Sequence, residues 1–487
     1  MSKIGSKKVF ETFLVVFAAF FVGLIAAISG LIPLRFVIAI MAGLLVFSVS
    51  FLFPDKKLYF LFLFAFLLPV HMNKAIYKIH SYYPYLREQL SLYLVDIILV
   101  VLYGIWFYRK MHQKDDRKII SFTFISIPFI FLILAAVVSL INAEMINRGL
   151  IEIWLMVRVF LIYFYIINNV TTGKEIKLVL MALVLGLIGQ CGIVALQKYS
   201  HGTLGLLYLG ESEEIYRSLA GQEVVHRPSA LFEHPNLFSN YLEFMIPLSF
   251  GLSFLRNNKT LRKFATVAFF GGIAALILSL SRGGWIAVFL SLLGCSFFIF
   301  RKNLREHKFV IKSVVTILIG VFFIAGFWPQ IINRITSHDA GAAKTRILQF
   351  DVAKEVVMSH PLIGVGINNY IVVMEKYDET ASMVSRYFKL PIHNAYLLIL
   401  GETGIFGFSF FMWLVFIILI KGFINIRKSQ GFLFYLNTGL IFGFTGYFMH
   451  AFVDMNFISR LPEFMFMAGL FTITDYAING RINLQDE

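Results

Sequence analysis

The sequence predicts an all-α, multi-pass membrane protein of about 12–14 transmembrane helices. Three observations carry that prediction. Of the 487 residues, 59% are hydrophobic and only 15% are charged, with a mean hydropathy of +0.78. A soluble domain carries about 25% charged residues and has nowhere to hide so much apolar surface. Apolar stretches of about 20 residues recur along the whole chain, each long enough to cross a hydrocarbon core as a helix. Lysine and arginine crowd into the short connections on one side of that alternation. A β-barrel would show short alternating segments instead, and the chain does not read that way.

The predicted spans are 11–29, 32–53, 58–70, 90–108, 119–141, 149–168, 177–197, 237–255, 264–280, 284–300, 309–328, 394–420, 431–452 and 461–478. The basic start (Lys3, Lys7, Lys8) leads into a long first span, which fits an uncleaved helix with a cytoplasmic N-terminus. Alternation then places Lys56-Lys57, Arg109 to Lys118, Arg256 to Lys263, Arg301 to Lys312 and Lys421 to Lys428 in cytoplasmic loops. The C-terminus is cytoplasmic too. The net charge of +15 is therefore read as topology, not as a nucleic-acid surface. Cys191 and Cys295 fall inside spans and read as small hydrophobes. Glu152 and Arg158 lie in the sixth span, so one of its faces is expected to be buried in protein.

The chain reads as one membrane domain, 1–487, with two long outer loops, 198–236 and 329–392. The second holds seven Lys or Arg and six Asp or Glu, which suits a folded subdomain. Leu348, Val352 and Val356 at helical spacing predict a helix over 344–358. His360-Pro361 and the glycines Gly364 and Gly366 then predict a break and a turn, with a short helix near 368–376.

Three places stand out chemically, and all map to the outer face. The first runs from Arg227-Pro228 to His234-Pro235-Asn236 and leads into a span. Its arginine would sit at headgroup depth, where a snorkelling arginine would also sit. The second, Ser281-Arg282-Gly283-Gly284, joins two apolar runs with almost no connection. An arginine so close to hydrocarbon is costly unless paired, and a guanidinium fork matches the oxygens of a diphosphate. An interfacial anchor is the plainer alternative. The third is His393-Asn394, followed after nine residues by Gly404-Ile-Phe-Gly407. Histidine at the mouth of a span can act as a general base, or simply cap a helix. His234, Asn236, Arg346 and His360 are weaker candidates for phosphate or sugar contacts. Glu402, Asp454 and Arg460 read as packing or pairing residues. No phosphate-binding loop or histidine-rich cluster is seen, and no repeated halves, which weighs against many transporter designs.

His393-Asn394-x9-Gly404-x-x-Gly407 resembles the terminal signature of the O-antigen ligase family, which spans lipopolysaccharide O-antigen ligases and polysaccharide polymerases. Ser281 to Gly284 is similar to that family's arginine motif. Arg227 to Asn236 resembles its segment with an arginine, an aromatic residue and His-Pro-Asn. Thr345-Arg346 through His360-Pro361-Leu-Ile-Gly364-Val-Gly366 resembles its outer-loop segment. The resemblance covers about 220–410, with the motifs in order. One departure is Ala230, where the family often has glycine.

The resemblance implies a GT-C-like glycosyltransferase of the bacterial inner membrane, with its active site on the periplasmic or extracellular side. The donor would be a glycan on undecaprenyl diphosphate. The acceptor would be lipid A core or another glycan. Arg227 and Arg282 would hold the diphosphate, and His393 would activate the acceptor hydroxyl, with inversion and with neither nucleotide nor metal. Asn394, His234, Asn236, Arg346 and His360 would contribute secondary contacts. A polymerase that uses a second lipid-linked repeat as acceptor remains open within the family. Outside it, the rival is a transporter or flippase, which should carry its ionisable groups near mid-membrane.

Overall fold

The computed structural model of the protein describes residues 48–79, 89–112, 119–120, 122–212, 216–217, 225–303, 342–387, 389–455 and 458–482. The predicted spans 11–29 and 309–328 and most of 32–53 lie outside these residues. Each predicted span among them carries a helix: α1 Lys56–Leu67, α2 Leu94–His112, α3 Ser126–Ser139, α4 Ile146–Asn169, α5 Gly173–Tyr199, α6 Pro235–Leu252, α7 Lys259–Leu278, α8 Arg282–Asn303, α12 Ala395–Lys428, α13 Gly431–His450 and α14 Pro462–Ile478. Between α8 and α12 lie α9 Ala342–Ser359, α10 Tyr370–Val373 and α11 Val384–Tyr387. The helix expected over 344–358 and the short one near 368–376 are both present.

Six of these helices (α4, α5, α7, α8, α12 and α13) are long and apolar enough to cross a membrane. The chain is a multi-pass membrane protein. The span placed at 58–70, short as a crossing segment already in the sequence, is a short helix here. With 12 residues α1 is about 18 Å long, short of the roughly 30 Å hydrocarbon core. It gives way to a β-hairpin, in which β1 Asn73–Lys78 pairs antiparallel with β2 Gln89–Tyr93. The start of the span placed at 90–108 is that second strand, and α2 begins at Leu94.

At the centre of the bundle are α6 and α14, buried around nearly their whole circumference. α6 packs along α13 and also contacts α7 and α8; α14 packs on α4, α3 on α12, and α5 on α1 and α7. The α6–α13 contact is backbone-close because α13 presents glycines. A Cβ on Gly439 would lie 2.8 Å from Leu248 Cα, and one on Gly443 would lie 3.1 Å from Phe244 Cα. Small residues four apart drive this kind of contact where no hydrophobic effect separates helix from lipid. The outer side of α8 instead shows Ile286, Phe289, Leu290, Leu293 and Phe297, an apolar stripe suited to lipid.

The buried face expected on α4 is there. Arg148, Glu152 and Arg158 are all buried. Arg158 Nε donates to Asp96 Oδ1 on α2 at 2.6 Å, and its guanidinium lies 4.0 Å from the centroid of the Tyr93 ring. Ser459 donates to Glu152.

The long helix α12 is broken at Gly404, with φ 63 and ψ −168. A break inside a membrane helix frees backbone groups that lipid cannot satisfy. Here the turn Pro361–Gly366 satisfies them. Val365 N donates to Gly401 O and Gly366 N to Glu402 O, each at 3.0 Å, while Ile405 N donates to Pro361 O at 2.9 Å. Gly364 and Gly366 have φ values of +72 and +99, as the turn expected there requires. The same segment is bonded on its other side. Asn142 Nδ2 donates to Gly364 O at 2.8 Å, and Ile367 N donates to Ser139 Oγ at 2.9 Å. Residues 361–367 are thus sutured both to α12 and to the α3–α4 connection.

Candidate active site

The segment from Arg227 is held by side-chain amides of α5. Gln197 Oε1 accepts from Ala230 N at 3.0 Å, and Gln197 Nε2 donates to Ala230 O at 3.1 Å. Gln190 Oε1 accepts from Leu231 N at 3.1 Å. Between them these bonds hold Ala230 at φ 51, the left-handed region usually left to glycine. Ala230 therefore keeps the turn, at a strain of about 1–2 kcal/mol. Phe232 anchors the segment below, packing on His71, Phe238 and Tyr241.

His234 ends the segment as the N-cap of α6, its Nδ1 accepting from Asn236 N at 3.1 Å. The next residue, Pro235, occupies the first turn, where a missing N–H costs nothing. Arg227 is 7% exposed. Its Nη2 donates to Asn236 Oδ1 at 3.3 Å, and its Nε donates to Ser279 O at 3.0 Å. The second bond joins the first motif to the second, because Ser279 caps α7 just before the Arg282 hairpin.

That hairpin is tight. Leu280 turns it at φ +54, and Trp285 Nε1 locks it by donating to Leu276 O at 2.9 Å. A bulky residue in the left-handed region persists only when its surroundings over-determine it, and such strain gathers at functional sites. Arg282 is the first residue of α8, half-buried, at the positive dipole end of that helix. Gly283 and Gly284 follow because neighbours leave no room for a side chain. A Cβ on Gly283 would lie 2.4 Å from His450 Nε2, and one on Gly284 would lie 1.8 Å from Ser239 Oγ.

The third motif reaches the same end of the bundle. Asn394 is the N-cap of α12, its Oδ1 accepting from Leu397 N at 2.9 Å. Its Nδ2 donates to Phe452 O at 3.1 Å, and Ala395 N donates to Ala451 O at 2.9 Å. The half-buried His393 is thereby tied to the turn after α13, whose last residue, His450, lies against Gly283. Bonds thus link Arg227 to the end of α7 before the Arg282 hairpin, and Asn394 and Ala395, the residues after His393, to the turn after His450, which itself lies against Gly283.

The weaker candidates divide. Asn236 joins the site through Arg227. His234 and Asn394 act as helix caps. His360 follows α9, its Nδ1 3.5 Å from Tyr377 Oη. Arg346 lies on α9, with its side chain outside the described residues. Glu402 accepts from Tyr370 N at 3.4 Å and belongs to the suture. Gly404 and Gly407 of the terminal signature are structural: Gly404 makes the break, and a Cβ on Gly407 would meet Thr403 Oγ1 at 2.1 Å. Sequence reasoning missed Gln190, Gln197, Glu243 and His450. Each is a polar residue inside or at the end of an apolar span, a signal that marks function or burial in protein.

Fold and site define the class: a multi-pass membrane protein that gathers two arginines, a helix N-terminus and a histidine at one end of its bundle. Residues 267–412, a part of the chain, match the family model described as O-antigen ligase. The matched stretch takes in the Arg282 hairpin and the His393 signature. No curated protein matches the chain. That match supports, in general terms, glycan transfer of the ligase or polymerase type between a lipid-linked glycan and a glycan acceptor.

Proposed function

We propose that the protein transfers a glycan from undecaprenyl diphosphate to an acceptor hydroxyl on lipid A core, at the outer face of the inner membrane. The observation that carries this reading is the bond from Arg227 Nε to the carbonyl of Ser279. It brings one guanidinium to the hairpin that bears the other, beside the N-terminus of α8. Two forked cations and a helix dipole suit a diphosphate that gains negative charge as it leaves. The bond between the anomeric carbon and the diphosphate oxygen breaks, and its electron pair leaves with the diphosphate. The acceptor oxygen attacks from the opposite face, with inversion, and gives its proton to His393. The arginines supply the positive charge, so the step uses neither nucleotide nor metal. Residues 342–387, sutured to α12 and to the α3–α4 connection, wall the acceptor side. The apolar bundle surface holds the polyprenyl chain.

The test is transfer by purified protein in nanodiscs, given an undecaprenyl-diphosphate glycan and either lipid A core or a second lipid-linked glycan. Glycan on lipid A core is the expected product. A lengthened lipid-linked chain would make the protein a polymerase instead. Arg282→Ala and His393→Ala should each lower the rate about 100-fold or more. Full activity in both, with protein folded and inserted, would overturn the site assignment.

A further inference from the structure

Beneath the Arg282 hairpin lies a group of ionisable side chains that the transfer step does not use. Glu243 lies two turns into α6, fully buried, and His450 ends α13 at 3% exposure. His450 Nδ1 and Glu243 Oε1 share a hydrogen bond of 2.5 Å. Ser239 Oγ donates to the same carboxylate oxygen at 3.4 Å, and Asp454 Oδ2 stands 4.0 Å from His450 Nε2.

Stability does not account for such a group. Burying ionisable groups costs several kcal/mol each, and apolar residues of the same volume often do as well or better. Its placement gives it a role. The imidazole lies against the backbone of Gly283, and Ser239 and Glu243 lie against Gly284, so the first turn of α8 rests directly on the cluster. The two residues after His450, Ala451 and Phe452, accept the bonds that seat Ala395 and Asn394 beside His393. Tyr396 Oη donates to Phe448 O at 2.8 Å, which ties α12 to the same turn of α13.

We propose that Glu243 and His450 are positioning residues for the transfer. Their hydrogen bond fixes α13 to α6 at the point where α13 touches both the arginine hairpin and the histidine loop. It thereby sets the separation between the groups that hold the leaving diphosphate and the group that activates the acceptor. This inference rests on the transfer reading above. Misplacing reacting groups by about 1 Å costs about 100-fold in rate, while a diphosphate held mainly by the arginines should still bind.

The experiment measures kcat and donor KM for the wild type, Glu243→Leu, His450→Leu, Glu243→Gln and Gly283→Ala. The leucine variants should lose about 100-fold in kcat with donor KM within about threefold of wild type. Glu243→Gln keeps an oxygen facing His450 and should recover most of kcat, a rescue that loss of bulk packing would not show. Gly283→Ala, whose methyl group points at His450 Nε2, should lose about tenfold. Leucine variants with kcat within about threefold of wild type would overturn the inference, as would a loss carried by KM alone. Should the leucine proteins not be recovered folded, wild-type kcat in Gly283→Ala would overturn it. No transfer by the wild type would instead refute the transfer reading, and this inference with it.

Discussion

Replacing Gly404 by alanine puts a methyl group where the backbone has no space for one. Gly404 lies at φ 63 and ψ −168, a region nearly closed to L-residues, which pay about 1–3 kcal/mol to enter such conformations. A Cβ there would lie 2.3 Å from both the carbonyl carbon and oxygen of Leu362, and 2.5 Å from Ile363 N. These are backbone atoms, held in place by the bonds from Val365, Gly366 and Ile405, so no side chain can rotate aside. Overpacking adds about 1–3 kcal/mol, giving a total of about 2–6 kcal/mol. The assay is apparent thermal unfolding of detergent-purified protein, with Gly189→Ala as comparison. Gly189 lies mid-helix in α5, and a Cβ there would meet nothing within 4 Å. Alanine at that site should stabilise by about 0.5–1 kcal/mol. The Gly404→Ala midpoint should fall by about 4–12 °C, taking about 2 °C per kcal/mol, while that of Gly189→Ala does not fall. Equal midpoints would refute the argument that the turn is locked into the break of α12.

Three further outcomes follow from the same geometry. Gln197→Ala removes the amide that holds both backbone groups of Ala230 and should cost about 1–3 kcal/mol; an unchanged unfolding midpoint would show that the clamp is dispensable. Asp96→Asn leaves Arg158 buried without its carboxylate and should cost about 3–5 kcal/mol, again read as a lowered midpoint. Ala230→Gly relieves about 1–2 kcal/mol of left-handed strain and loses a buried methyl group worth about 0.8 kcal/mol. Its midpoint should therefore stay close to wild type, and a fall of several degrees would show that the turn at Ala230 is not strained.

Much of the architecture was legible in order along the chain. Hydropathy located the helices because lipid forces each crossing segment to satisfy its own backbone, so a span announces itself locally. The helix over 342–359 showed in its spacing, and the turn after it in its glycines, both being features of a few adjacent residues. The shortness of α1 showed in the span at 58–70, whereas the β-hairpin that follows it did not, because the pairing of Asn73–Lys78 with Gln89–Tyr93 joins segments apart in the chain.

By itself, the sequence determined that the protein lives in a membrane as a helical bundle, and which motifs carry its arginines and histidine. Only the tertiary structure decided which of those residues meet and what holds them. Arg227 joins the Arg282 hairpin through a backbone carbonyl 52 positions away, and His450 meets Glu243 across 207 positions. Neither approach leaves a periodicity or a spacing to read. Helix formation is local and shows in composition, whereas the pairing of helices depends on where glycines, amides and buried charges on distant segments find each other.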